Sequence, residues 1–245
     1  MNTINITYDN FVNLIPEKWI KLFDKKQLSY VYYKLKNESI IKPSIDNIFN
    51  CFKYFDPSET KVIILGQDPY PTVDIADGLA FSCSSSCKHI PKSLRNIIKE
   101  LLIENNKYDL LDEINIKNFN INLEYLAKQK ILLLNTIFTI GDKPMSHKHI
   151  WDGISNNIIR NLTSNNKNIV FLLFGAKAHD KIYSIQNKED HYIIKTSHPS
   201  DLSCNRDGYS NYDPFINSQC FNKCNEYLIN NNIEPIDWLS GLIKN

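Results

Sequence analysis

The chain has 245 residues with 28 Lys+Arg against 27 Asp+Glu, a formal net charge of +1, 42% hydrophobic residues and 22% charged ones. Such a balance excludes a disordered chain, and only seven Gly and ten Pro exclude collagen-like or linker-like sequence. The near-zero charge argues against a strongly electrostatic nucleic-acid binder.

No apolar run reaches the roughly 18–20 residues of a membrane span, so no membrane partner is expected. The length suits one large domain with a sizeable core. The first five residues lack the basic segment and apolar run of a secretory signal. Six Cys are too few for a disulfide scaffold. The expectation is an intracellular protein, in nucleus or cytoplasm, with reduced thiols. Only Arg95, Arg160 and Arg206 supply Arg, and Asn and Ile abound. This pattern reads as codon bias, so Lys-for-Arg choices carry little functional meaning.

In chain order, residues 15–38 read as helix, with Trp19, Leu22, Phe23 and Leu28 at roughly helical spacing. A second helix is expected over 44–54, opened by Ser44 with Asp46 in its first turn. Lys61–Leu65 is a short apolar, β-branched run ending at Gly66, the mark of a buried strand. Ile131–Leu134, Ile169–Phe174 and Tyr192–Lys195 resemble it. Helices are expected over Ser93–Glu104, Leu123–Lys128, Ile150–Leu162, Ala176–Ile185 and Gln219–Asn230. The Asn pairs at 105–106 and 165–166 and the run at 230–232 read as loops and helix ends. Strands alternating with helices predict an α/β fold: one domain with a central, mainly parallel four-stranded sheet and helices on both faces. Within it, residues 1–55 form an N-terminal helical part and 61–240 the catalytic core.

In such sheets function collects at the carboxyl ends of the strands. After the first strand, Gln67-Asp68-Pro69-Tyr70-Pro71 holds a carboxylate and an aromatic on a proline-stiffened loop. Taken alone, an ordinary turn with Asp68 bonding its own backbone accounts for it. After the second comes Asn135, whose amide offers one donor and one acceptor side by side, or simply satisfies loop backbone. After the third, Gly175-Ala176 opens a helix whose N–H groups could hold a phosphate. After the fourth comes His198, either a site residue or a satisfied buried His, with Leu202 standing oddly apolar in a Ser-rich loop.

Five motifs join these ends: Gly66–Tyr70, Gly78–Ser82, Leu132–Asn135, Ser146–Lys148 and His198–Ser203. In residue type, order and spacing the chain resembles the family 1 uracil-DNA glycosylases from about Lys61 to Trp238. The resemblance implies the uracil-DNA glycosylase fold and hydrolysis of the N-glycosidic bond between uracil and deoxyribose, without a cofactor. The product is an abasic site that starts base excision repair. It implies that Asp68 orients the water and stabilises a cationic sugar, and that His198 is a neutral donor to uracil O2. Gln67 contacts O2 through its backbone. Asn135 reads N3–H and O4, a pattern cytosine reverses. Phe81 stacks on the base, and Tyr70 blocks the methyl of thymine. Leu202 inserts into the duplex as the base leaves. Ser93, Gly175, Ala176, Ser200 and Arg206 fall where the family grips phosphates, and Lys88 and Lys92 are further candidates. The implied partners are uracil-containing DNA, single- or double-stranded, and free uracil as product. A proteinaceous glycosylase inhibitor and replication proteins are further partners known in the family. The chain is expected to be a monomer.

Several positions depart from the family pattern. Pro71 stands where many members have His, Ala176 where Ser is usual, and Asp201 where Pro is usual. Asp201 is expected to add negative charge near DNA. Asp207–Ile216 reads as an insertion. Cys83, Cys87, Cys220 and Cys224 look like a metal tetrad, but the x3 spacing is poorer than the x2 usual for structural zinc, so no metal is expected. His147 and His149 read as surface or supporting polar residues.

Overall fold

A computed structural model describes residues 4–72, 75–208 and 211–244. The first three residues of the segment read as lacking a secretory signal lie outside them, as do residues 209 and 210 of the expected insertion and residue 245.

The four apolar runs form four parallel strands: β1 Val62–Gly66, β2 Ile131–Asn135, β3 Val170–Phe174 and β4 Tyr192–Thr196. Their order in the sheet is β2-β1-β3-β4. Every residue of β1, β2 and β3 is buried, as continuous apolar runs covered on both faces require. β4 alternates more and runs along an edge. The register sets Gly66 beside Asn135 and Phe174 beside Thr196, so the strands end level with one another. From β1 the chain goes to β2 on one side, and later from β3 to β4 on the other. The crevice between the β1 and β3 ends is therefore the point where ligands collect in such sheets.

Helices occupy Tyr8–Val12, Glu17–Ile20, Lys25–Lys36, Lys92–Glu104, Glu124–Ala127, Lys148–Trp151, Ile154–Asn165, Ala176–His179 and Cys220–Asn230, called α1 to α9 in that order. Four expectations change. Residues 15–38 form two helices, α2 and α3, parted by a turn at 21–24, where Asp24 caps α3 by accepting the Gln27 N–H at 2.9 Å. Residues 44–54 form two short 3-10 turns, Ile45–Asn47 and Asn50–Phe52; Ser44 makes no capping bond, and the Asn50 side chain is drawn to Asp77 O (2.8 Å). The helix expected over 150–162 is two helices, broken where Gly153 takes φ 79°. The helix expected over 176–185 stops at His179 and continues as a 3-10 turn, Asp180–Ser184. The Asn pairs do mark helix ends: Asn105, Asn166 and Asn231 are C-cap residues of α4, α7 and α9.

The N-terminal helices share one core with the sheet. Phe11, Trp19, Phe23, Phe49 and Phe52 are buried together. Phe49 and Phe52 reach Phe138 after β2, and Phe138 stacks on Trp151 at 4.6 Å. Each such ring contributes about 1.5–3 kcal/mol by burial, enough to fasten short helices that would not stand alone.

A second fastening comes from α4. Gln219, which precedes α9, makes no capping bond with its own side chain. Glu104 instead accepts the Phe221 and Asn222 N–H groups at 3.2 and 2.6 Å. Glu100 accepts those of Asn217 and Gln219 at 2.7 and 3.1 Å. Two buried carboxylates of α4 thus satisfy backbone donors at the start of α9.

Candidate active site

A cleft of ≈ 390 Å³ opens at the β1 and β3 ends. Gln67, Asp68, Tyr70, Phe81, Ser93, Asn135, Gly175, Ala176 and His198 all line it. Residues up to 131 positions apart in the chain, Gln67 and His198, meet because level strand ends deliver them to one place.

Asp68 is half-buried. Its Oδ2 accepts the Met145 N–H at 2.7 Å, and its Oδ1 accepts the Gln67 side-chain amide at 3.3 Å. Burial pushes its pKa up, and the two donors pull it part of the way back. The loop behind it is tied by hydrogen bonds. Met145 is held at φ 61°, Ser146 Oγ accepts the Gly141 N–H at 2.7 Å, and Thr139 Oγ1 bridges Trp151 Nε1 and His147 Nδ1. His147 is a buried support, and His149 is exposed.

His198 is oriented by its own loop. The Ser200 backbone N–H donates to Nδ1 at 3.0 Å, so the neutral ring carries its proton on Nε2. Burial pushes its pKa below 6.5, which favours that neutral form. Gly175 takes φ 83°, and a Cβ there would lie 2.8 Å from His198 Cβ. Glycine is required twice over, by the backbone and by the His198 Cβ beside it.

Asn135 is buried at 7% exposure, and among the described residues no hydrogen bond engages its side-chain amide. Gly66 makes room for it: a Cβ there would lie 2.3 Å from Asn135 Oδ1. Facing it, Phe81 is held at φ 63°, a conformation costly for a bulky residue. Asp77 supports that strain by accepting the Leu79 N–H at 3.1 Å, the Ser82 hydroxyl and the Asn122 amide. The Ala80 N–H donates to Leu133 O, which stitches this loop to the outer edge of β2. Tyr70 closes the cleft with its hydroxyl 3.3 Å from Phe81 O, and burial pushes its phenol pKa well up.

Ser200, Leu202 and Arg206 do not line the cleft; they stand on the loop beside it. Leu202 is 79% exposed, a bulky apolar side chain held out in solvent. Its loop is tied to α4, because Asn96 Nδ2 donates to Pro199 O (2.8 Å) and to Asp201 Oδ1 (3.0 Å). Asp201 also pairs with Lys92 at 3.2 Å. The charge of Asp201 is thereby matched locally, and Lys92 is engaged with it. Arg206 is exposed, with its N–H bonded to Ser203 O. Among the described residues no three His, Cys, Asp or Glu gather as metal ligands, and all six Cys are buried free thiols.

Three supporting features went unread in the sequence. The Met145 and Ser200 donors are backbone groups with no residue signature. Asp77 does have one, since an Asp preceding a Gly turn commonly bonds the backbone two residues on.

The family model of the Uracil DNA glycosylase superfamily matches residues 52–229. The chain belongs to this superfamily. It is 36% identical to the uracil-DNA glycosylase of Francisella tularensis subsp. novicida, covering 92% of this chain and 96% of that one. It is 39% identical to that of Ureaplasma parvum serovar 3, covering 93% and 97%. Among solved structures it is similar to a mimivirus UNG variant in complex with UGI, at TM-score 0.82 and 28% identity over 95% of this chain and 91% of that chain. The single-domain parallel sheet with its helices matches that neighbour.

Proposed function

We propose that this protein excises uracil from DNA by hydrolysing the N-glycosidic bond of a flipped-out deoxyuridine. It is a glycosylase of base excision repair and leaves an abasic site. One observation carries the assignment of roles. The Ser200 N–H fixes His198 so that Nε2–H is the donor, in a cleft where the Asn135 amide is left free to read a base.

The bond breaks with its electron pair going to the base, so uracil leaves as an anion and the sugar becomes cationic. Asp68 stabilises the cation and orients the water that adds to it. The Nε2–H of His198 donates to O2 of the leaving anion. Asn135 accepts from N3–H and donates to O4; cytosine offers neither match, and buried mismatches discriminate strongly. Phe81 stacks on the ring, and Tyr70 occupies the space where thymine carries its methyl. Flipping costs a few kcal/mol, and Leu202 fills the gap left in the stack. Ser93, Gly175, Ala176, Ser200 and Arg206 hold phosphates around the extruded nucleotide through hydroxyls, backbone N–H groups and one guanidinium. Few phosphates are held, so a net charge of +1 suffices. UGI is the first protein ligand to test, since the mimivirus variant was solved with it.

The decisive experiment incubates the protein with a uracil-containing oligonucleotide, adds alkali and looks for strand cleavage. Asp68→Asn is expected to slow release by about 10³-fold or more while keeping the fold. Full activity in that variant would remove Asp68 from the mechanism.

A further inference from the structure

β4 delivers His198 from the edge of the sheet, where a strand has no neighbour to hold its exit. The chain supplies one. Asp213 pairs in parallel with Thr196. The contacts converge on Ser197, which is 3% exposed and directly precedes His198. Its N–H donates to Asp213 O at 2.8 Å. Its Oγ accepts the Phe215 N–H at 2.9 Å. Its carbonyl accepts the Thr196 hydroxyl at 2.9 Å. Backbone donor, backbone acceptor and side chain are therefore all committed.

The residue before it is held as firmly. Thr196 O accepts both the Gly175 N–H and His179 Nε2 at 2.9 Å. Tyr212 lies against the His179 ring with centroids 4.9 Å apart. It closes on Gly208, where a Cβ would lie 2.6 Å from the Tyr212 ring. A rim of Tyr212, Asp213 and Phe215 thus grips the exit of β4 from outside.

We propose that residues 211–215 are a brace that positions His198 for catalysis, with Ser197 as the positioning residue. The proposal rests on the reading of His198 as the donor to uracil O2. His198 has little slack on its Gly175 side, so any relaxation at Ser197 moves the ring relative to Phe81, 6.1 Å away. Removing the Ser197 hydroxyl leaves the Phe215 N–H buried without its acceptor and loosens the brace where it holds His198.

The test measures single-turnover uracil release, its DNA-concentration dependence and Tm for Ser197→Ala, Ser197→Thr, Tyr212→Ala and His198→Ala. The His198 ring tautomer is followed by nitrogen NMR. Ser197→Ala is expected to lower the saturated rate about tenfold, since displacements under 1 Å are costly at a reacting centre. The concentration for half-saturation should change less than about twofold. The Nε2–H tautomer signal should weaken, and Ser197→Thr, which keeps the oxygen, should restore the rate. Tyr212→Ala changes a half-buried surface ring and should lower the rate about threefold by the same displacement argument; it carries the test if Ser197→Ala fails to fold. Wild-type rates in both variants, with only Tm lowered, would overturn the brace. If His198→Ala itself released uracil at the wild-type rate, the reading of His198 would fall, and the brace with it.

Discussion

Gly66→Ala separates the site from the fold. Gly66 ends β1 without a left-handed φ, so alanine suits the backbone. The difficulty is space. The new Cβ would lie 2.3 Å from Asn135 Oδ1 and 2.9 Å from Ala80 Cβ. Ordinary contact needs about 3.5 Å, so the amide oxygen must swing by roughly 1 Å. No protein hydrogen bond among the described residues is broken when it does, and the Gly78–Ser82 loop gives by a few tenths. The expected stability loss is about 1–2 kcal/mol, a Tm drop of about 3–8 °C for a chain of this size. The expected loss of activity is far larger, about 100-fold, because a 1 Å misplacement strikes the group proposed to read the base. Single-turnover release from a uracil-containing oligonucleotide, beside thermal melting, measures both. The double variant Gly66→Ala with Asn135→Ala should recover much of the lost stability and none of the activity. A wild-type rate in Gly66→Ala would refute the argument, since the amide cannot both be displaced and read uracil.

Three further outcomes follow. Tyr70→Ala opens the space beside the Phe81 carbonyl, so slow thymine release from a thymine-containing oligonucleotide should appear where the wild type gives none. Leu202→Ala removes the exposed wedge; release from duplex should fall about tenfold, release from single strands much less, and equal losses would count against insertion. The contributions of Asp77 and Glu104 to stability should fall as pH rises from about 4 toward 8, against an opposing rise from His179, His191 and His198, whose pKa values burial lowers. Burial pushes the Asp77 pKa from 3.8 to about 6, and pushes Glu104 up with Glu100 adding to the shift. The folded state then holds protons that the unfolded chain releases. Each contribution is complete below the unfolded pKa and lost as pH passes the folded one; Asp77 alone accounts for up to about 3 kcal/mol. Urea unfolding of the wild type beside Asp77→Asn at pH 5 and pH 8 isolates the Asp77 part, and a wild-type advantage over the variant that grows toward pH 8 would contradict it.

The sheet was legible because runs such as Val62–Leu65 and Leu132–Leu134 have no polar face. A stretch of that length buried on both sides can be little else. The helix ends were legible at Asn pairs for a similar reason, since Asn tolerates the turn that stops a helix. The break at Gly153 was not, because a lone Gly is often tolerated within a helix, and only the surrounding packing decides. Glu100 and Glu104 were hidden by a sound rule: charged positions on an amphipathic helix ordinarily face water. Here two of them face the start of α9. The candidate site divides the same way. Side chains carried by motifs were readable, and the backbone donors that orient them were not. Asp201 was read only for its charge; the structure adds that it pairs with Lys92 and accepts from Asn96, which helps hold the Leu202 loop to α4.

The electrostatics of the cleft join these threads. Asp68 receives one good backbone donor and one long side-chain donor, and burial pushes its pKa up. A third short donor would stabilise the carboxylate at rest, but that gain would shrink once a cationic sugar formed beside it. Only interactions that strengthen in the transition state accelerate a reaction. An under-satisfied carboxylate has more to gain from the developing cation. In the proposed mechanism His198 and Asn135 work in the complementary sense. Both are neutral, both keep a donor free among the described residues, and burial favours that form of His198. They meet negative charge only when the base takes up the electron pair of the breaking bond. Had His198 been charged at rest, it would bind anions before any bond broke and repel the developing sugar cation. On the proposed roles, the strand ends supply an anion short of donors for the sugar and neutral donors for the base. This division follows from burial and backbone geometry, which a chain of nearly zero net charge can provide.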